Sequence, residues 1–351
     1  MKRHVENACM GKPRRRLTPV LCLVLVPVLL SGCGSKTAPE KKSSIRIGVS
    51  LYRADDTFIG NIRSELEKKA KAYEQETGMK VTLDIQDAKG NQYTQNKQVE
   101  RFISLGCDAL CVNPVDRTTS SGIIDPAMAA DVPVVFFNRQ PVEEDMDRWD
   151  KLYYVGADAK ESAVLEAEIV AEQYEKDPAS LDKNGDGVVS YVLLEGENNH
   201  QDSLIRTEWS IQTLKDRNVP IEKVTGGIAN WERSQASALM EQWLSAYPDT
   251  IELVISNNDD MALGAIDALE RAGINRVSVV GIDGTTQGQD AVRSGKMLGT
   301  VSSDKSGYAD AIFTIAASAG LGEPIPAEID LENEKYYWSR QNNVVKEKIN
   351  P

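Results

Sequence analysis

His200, Asp202 and Arg206 fall within one short polar stretch and bring together an imidazole, a carboxylate and a guanidinium fork. Between them these groups can donate and accept hydrogen bonds in any combination a polar ligand requires. The apolar run Val188 to Leu194 just before them predicts a buried strand that ends at Gly196 in a loop. If Asp202 opens a helix, Asp202 and Arg206 lie one turn apart on the same face. That places them at the carboxyl end of a strand, where open α/β sheets bind their ligands. Taken alone, the stretch is better described as an N-cap aspartate with a solvated arginine. The surrounding elements decide between the two readings.

From Ile45 onward, strand patterns alternate with helical ones. Strands are predicted at Ile45–Leu51, Lys80–Ile85, Asp108–Asn113, Val132–Phe137 and Leu152–Val155. Helices are predicted at Phe58–Glu76, Tyr93–Leu105 and Ser121–Ala130. The rhythm restarts with strands at Val188–Leu194, Glu222–Gly226, Ile251–Ser256, Val277–Ile282 and Gly299–Val301. The helices between them end at Leu214 or span Trp231–Ala246, Asp260–Ala272 and Gln287–Ser294. Such a βαβ rhythm implies parallel sheets covered by helices. Two similar units in tandem predict an α/β protein of two Rossmann-like lobes with a cleft between them. Polar residues recur at strand ends in both halves: Asp55 and Asp56, Asn138 and Arg139, Asn257 to Asp260, and Asp283. One at a time these are ordinary cap and loop residues; repeated in two facing lobes, they line a cleft.

The first residues read as a processing signal. Lys12, Arg14, Arg15 and Arg16 precede the apolar run Leu17 to Leu30, which suits a signal peptide better than a membrane span. Leu30-Ser31-Gly32-Cys33 resembles a bacterial lipobox, so residues 1–32 are expected to be removed and Cys33 lipidated, with 33–44 as a tether. Met10 is an alternative start. Removing six Lys/Arg and one Glu takes the formal net charge from −13 to −18, which argues against nucleic acid as a partner. His4 leaves with the signal, so His200 is the single histidine remaining and a multi-histidine metal site is excluded. Cys107 and Cys111 are too far apart in an extended segment to bridge and read as buried fillers.

A cleft for a sugar needs planar polar groups that hold vicinal hydroxyls and aromatic faces that cover C–H patches. Phe58 and Trp231 stand near strand ends, although aromatics at such positions are more often core. The segments Ile47-Gly-Val-Ser-Leu-Tyr52, Asp55-Asp56-Thr57-Phe58, Val132 to Arg139, Tyr153-Tyr-Val-Gly156, His200-Gln-Asp202 with Arg206, and Asn257-Asn258-Asp259 resemble the bacterial D-galactose/D-glucose receptors of galactoside ABC importers. The resemblance runs from about Ile45 to Val301 and weakens beyond. It implies that Phe58 and Trp231 sandwich a pyranose. Asp56, Asn138 and Arg139 would contact it from the first lobe, and His200, Asp202, Arg206, Asn258 and Asp283 from the second, with Ser303 at the hinge. Arg139 stands where that family has lysine, which changes donor geometry. Ser303 stands where it has asparagine, which removes or hydrates a contact.

Asp182-Lys-Asn184-Gly-Asp186-Gly187-Val188 matches the first half of an EF-hand loop, with oxygen ligands at positions one, three, five and seven and glycine at six. Position twelve is Leu193, so the bidentate carboxylate must come from elsewhere. The resemblance implies a structural Ca²⁺ completed by Ser190, in place of glutamine, and the distant Glu252. An Asn/Asp/Gly turn that binds nothing is the plainer alternative.

The same resemblance implies a three-segment hinge near 156–158, 302–303 and 339. The first lobe would comprise 45–156 with about 303–338, and the second 157–302 with about 339–351. The expected protein is a monomeric, lipid-anchored, non-enzymatic hexose receptor serving an ABC permease, with a chemoreceptor as a further candidate partner. A transcription regulator would need a basic helix-turn-helix where the signal stands. An enzyme such as a glycosidase would use paired carboxylates, but no nucleophile elbow, phosphate loop or HExxH motif is present. Xylose, ribose or a sugar-like signal remains an alternative ligand, because a fold does not fix its cargo.

Overall fold

The computed structural model describes residues 42–346. The expected signal peptide, Cys33 and nearly all of the tether lie outside the described residues, as do the last five residues. The first sheet is built from β1 (Ser44–Leu51), β2 (Lys80–Asp87), β3 (Ala109–Val112), β4 (Val134–Phe137) and β5 (Leu152–Ala157). Helices α1 (Thr57–Thr77), α2 (Gln92–Ser104), α3 (Ser121–Ala129) and the single turn α4 (Glu143–Met146) connect them. The second sheet contains β6 (Val189–Glu195), β7 (Ile221–Ile228), β8 (Leu253–Ser256), β9 (Ser278–Asp283) and β10 (Gly299–Ser303). Its helices are α5 (Ala159–Lys176), α6 (Gln201–Asp216), α7 (Arg233–Ala246), α8 (Asp259–Arg271) and α9 (Thr286–Arg293). Helix α10 (Lys305–Leu321) then packs on α1, and β11 (Tyr336–Ser339) and β12 (Gln341–Val345) finish the described chain.

The strand orders are β11-β5-β4-β3-β1-β2 and β12-β10-β9-β8-β6-β7. The first sheet is parallel throughout. The second is parallel except at its edge, where β12 runs antiparallel to β10, a departure from the all-parallel expectation. A returning chain segment that has just left the other lobe has no room for a crossover helix, so it enters in the reverse direction. Each sheet buries both faces under helices, which is why strands such as Leu193–Leu194 and Val134–Phe137 are apolar without alternation.

The chain passes between the sheets at three points, after Ala157, after Ser303 and at Arg340. These crossings are tied to one another. Asp304 N–H donates to the Arg340 carbonyl at 3.0 Å, and Gln341 Nε2 donates to the Asp158 carbonyl at 2.7 Å.

Helix α5 was not foreseen in the sequence. Its buried residues are Ala159, Ser162, Ala163, Glu166, Ala167, Ile169, Val170 and Ala171, which have helical spacing but are mostly small or polar, with large apolar residues only near the end. The helix at the central loop opens at His200 and not at Asp202: the His200 side chain caps α6 by accepting the Asp202 N–H. Cys107 and Cys111 are unpaired and buried. Burial pushes the Cys107 thiol up to about 11, and Cys111 higher still, so both stay protonated and unreactive. Among the described residues, no helix is long and apolar enough to cross a membrane.

Candidate functional site

Strand β6 delivers the chain to Gly196, where the indole of Trp231 lies so close that a Cβ would sit inside its ring. The loop then turns to His200, whose Nδ1 accepts the Asp202 N–H at 3.1 Å. A nitrogen that accepts is not protonated. Burial, with Arg139 and Arg206 nearby, holds the imidazole well below its ordinary pKa, so it is neutral. One turn along α6, the Arg206 fork donates to Asp202 Oδ2 at 3.1 Å and to the Asn257 carbonyl at 2.8 Å, with Asp283 Oδ1 at 3.7 Å. The Asn257 side chain in turn accepts from Gly196 N–H, Ser203 and Thr207. Asn257 therefore ties β6, α6 and β8 into one frame, a role its place in a polar run does not reveal. Asn258 caps α8 through the Met261 N–H. Burial raises the carboxyls of Asp202 and, further, Asp283, while Arg206 draws both back down.

The first lobe contributes from β1, β4 and their following turns. Asp56 caps α1 through the Ile59 N–H at 2.9 Å and takes the Tyr52 hydroxyl at 2.5 Å. Asp56 and Asn258 are thus ordinary helix caps, whereas in the central loop the cap is His200 and Arg206 is buried rather than solvated; all four face the cleft. Asn138 has φ +62°, an uncommon conformation for a non-glycine residue. It is held there by Tyr308, which accepts its N–H, and by Tyr154, which donates to its carbonyl. Arg139 lies 3.8 Å over the Tyr52 ring, a cation–π contact strengthened by burial.

The lobes meet across this cleft. Arg139 Nη1 pairs with Glu197 at 2.8 Å, Arg53 with Glu232 at 2.7 Å, and Gln201 Nε2 donates to the Asn138 carbonyl at 2.9 Å. About 530 Å³ of space not filled by atoms, mouth included, lies between them. Asp56, Phe58, Asn138, Arg139, His200, Asp202, Arg206, Trp231, Asn258, Asp283 and Ser303 all line it. Tyr52, Ile59, Ala157 and Tyr308 line it too and were not anticipated. Tyr52 sits four residues before Asp56 on the quoted motif, so its spacing could have flagged it; Tyr308 comes from the returning helix and could not. Arg139 Nε and Nη2, Arg206 Nε and Trp231 Nε1 are buried and meet no acceptor. Beside them stand the carboxylates of Asp56, Asp202 and Asp283. Buried donors without partners are costly, and this cleft offers donors and acceptors together over an aromatic floor.

The predicted metal loop lies elsewhere in the second lobe. Asp182 accepts the N–H groups of Gly185 and Gly187, and Asn184 Oδ1 accepts that of Asp186. Asp186 accepts the N–H of Val188. Glu252, fully buried, reaches the loop as the resemblance implied, taking Lys183, Asn184 and Ser190 N–H groups at 2.7, 3.0 and 2.9 Å. Gly187 at position six has φ +89°, the sharp turn that such a loop needs. Oxygen-bearing side chains thus converge on one loop, where they accept its backbone N–H groups. Among the described residues, however, no three His, Cys, Asp or Glu side chains are gathered as a metal-holding set.

Residues 47–324 match the periplasmic binding protein domain. The chain is 33% identical over 307 residues, 87% of its length and 89% of the relative's, to the D-galactose/methyl-galactoside binding periplasmic protein of Haemophilus influenzae. It is 33% identical over 286 residues, 81% of its length and 87% of the relative's, to a putative rhizopine-binding protein of Rhizobium meliloti. The crystal structure of an ABC transporter solute binding protein from Bacillus halodurans with bound myo-inositol superposes with a TM-score of 0.73 at 30% identity, covering 89% of this chain and 98% of that one. The two-lobed fold, the cleft and these likenesses agree, and the chain belongs to the periplasmic binding protein family, a family of binding proteins and not of enzymes.

Proposed function

We propose that this chain is an extracytoplasmic receptor that captures a hexopyranose, D-galactose or D-glucose, between its lobes and presents it to an ABC permease. The observation that carries this reading is the set of buried, unpartnered donors on Arg139 and Trp231 in a cleft that also holds the acceptors of Asp56, Asp202 and Asp283. A neutral polyol both donates and accepts at every hydroxyl, so it satisfies the two sets at once. A simple anion would leave the carboxylates opposed, and a simple cation the guanidinium groups. Phe58 and Trp231, one from each lobe, supply apolar faces for the ring's C–H patches. Arg139 and Ser303 are the positions that tune which hexose is preferred. Relatives named for a galactoside and solved with myo-inositol support a small polyhydroxylated ring, and a cyclitol is the second reading.

Tryptophan fluorescence titration with D-galactose, D-glucose, myo-inositol, D-xylose and D-ribose tests this. Saturation with galactose or glucose at low micromolar concentration is expected. Saturation with myo-inositol or a pentose alone overturns the hexose assignment. Silence from all five overturns the sugar reading.

Two subsidiary readings accompany it. Cys33 is the lipid attachment point that tethers the receptor to the membrane. The 182–190 loop with Glu252 holds a structural Ca²⁺, supported by the oxygen-bearing side chains at alternate positions and the turn at Gly187. Chelation should lower the melting temperature of the protein, and added Ca²⁺ should restore it; an unchanged melt removes the metal from the account.

A further inference from the structure

Helix α5 packs against α6, the helix that carries Arg206 into the cleft. There Glu166 is fully buried and neither carboxyl oxygen meets a donor in hydrogen-bonding geometry. Arg206 Nε is buried and unpartnered as well. The two orphans belong to neighbouring groups: Arg206 is the strongest charge felt by Glu166, followed by Asp259 at the start of α8, with the Ser210 hydroxyl and the Ser256 amide close by. Ser210 already donates its proton to the Arg206 carbonyl, so its remaining capacity toward Glu166 is to accept. Of the strands against α5, β9 ends at Asp283 and β12 brings the neutral Gln341, which is bonded to Asp158 and Glu161.

An ionised glutamate in this position would form the obvious ion pair with Arg206 Nε. The structure shows no such pair, and the guanidinium is committed to Asp202, the Asn257 carbonyl and Asp283. A protonated glutamate has no claim on Arg206 and can donate to Ser210 Oγ. We propose that Glu166 is a positioning residue held as an uncharged acid, which leaves the charge and orientation of Arg206 to Asp202, Asp283 and the bound ligand. Burial, which pushes the Glu166 carboxyl up to about 8, agrees with this geometry. When Glu166 ionises it competes with Asp202 and Asp283 for Arg206 and draws the fork off the cleft. This inference rests on the receptor reading given above.

The test compares wild type, Glu166→Gln and Glu166→Ala. Calorimetry with D-galactose from pH 6.0 to 9.5 should show the wild-type Kd rising about thirtyfold above pH 7, as expected for a group titrating near 8 that must stay neutral. Glu166→Gln, a permanent neutral isostere, should bind within about threefold of wild type at pH 7 and lose that alkaline limb. Glu166→Ala should bind weakly at every pH. Parallel profiles for wild type and Glu166→Gln overturn the proposal. A second arm needs no sugar. In urea denaturation the stability advantage of Glu166→Gln over wild type should grow from pH 5 to pH 8, because the buried acid binds its proton more tightly than the unfolded chain does. A constant difference overturns the neutral-acid assignment, even if D-galactose fails to bind and the receptor reading falls on its own.

Discussion

At the residue scale, the cleft depends on side chains that each carry two duties. His200 caps α6 and lines the ligand space; Asp202 anchors Arg206 through Oδ2, accepts from Gln201 at Oδ1 and lines the cleft as well. Replacing Asp202 with Asn keeps the shape but removes the charge that orients Arg206. It should weaken sugar binding about a hundredfold, given the ~1.5–3 kcal/mol carried by charged hydrogen bonds, while far-UV circular dichroism stays unchanged. Trp231→Ala should cost at least as much, and wild-type affinity in either variant by calorimetry would sink the assignment. The neutrality of His200 has a consequence for stability. Its folded pKa is depressed, so the unfolded chain takes up a proton that the folded one refuses. The contribution is complete above the ordinary value near 6.5 and is lost as pH falls below it, at up to ~1.4 kcal/mol per unit. In urea titrations between pH 7 and pH 5, His200→Asn should flatten this slope.

At the element scale, the sequence placed most strands and helices because each has one or two fully apolar faces. The misses have physical reasons. Helix α5 packs mostly through alanine, serine and Glu166, so most of its stripe is invisible to a pattern that counts large apolar residues. The edge strand β12 pairs antiparallel because of what precedes it in space, not because of its composition. Glu252 shows the same limit from the other side: a lone glutamate inside the strand pattern 251–256 proves to be the clamp of a loop nearly seventy residues earlier. Glu252→Ala removes the acceptor of three backbone N–H groups, which the loop cannot replace internally. It should destabilise the protein by about 3 kcal/mol in denaturant titration, with or without Ca²⁺ present.

At the scale of the whole molecule, two α/β lobes joined by three adjacent crossings stand closed on each other. Arg53–Glu232 and Arg139–Glu197 bridge the lobes, and neither pair lies within one lobe. Such bonds count toward closure and not toward the folding of either half. The Arg53–Glu232 pair is partly solvated, so its contribution is modest, about 1 kcal/mol. Arg53→Ala should therefore weaken ligand binding about fivefold at low salt, an effect that high salt removes. A double-mutant cycle with Glu232→Ala should show coupling in the affinity and almost none in the melting temperature. Equal coupling in both would mean that the pair is structural.

What the sequence determined by itself was the kind of molecule. Repeated βαβ patterning dictates parallel sheets under helices, and residues such as Asp56, Asn138, Arg139, Asp202 and Asp283 had to fall at strand ends because the turns there are polar. The short-range pair Asp202 and Arg206 was legible because helical spacing alone brings it together. Only the tertiary structure decided what joins the two halves. Asn138, Trp231 and Asp283 adopt φ of +62°, +65° and +117°, conformations that local propensity opposes and that surrounding contacts impose. Tyr308 and Glu252 reach their partners across long stretches of chain. No local pattern encodes such distances, because they are set by how two sheets close around one set of buried polar groups.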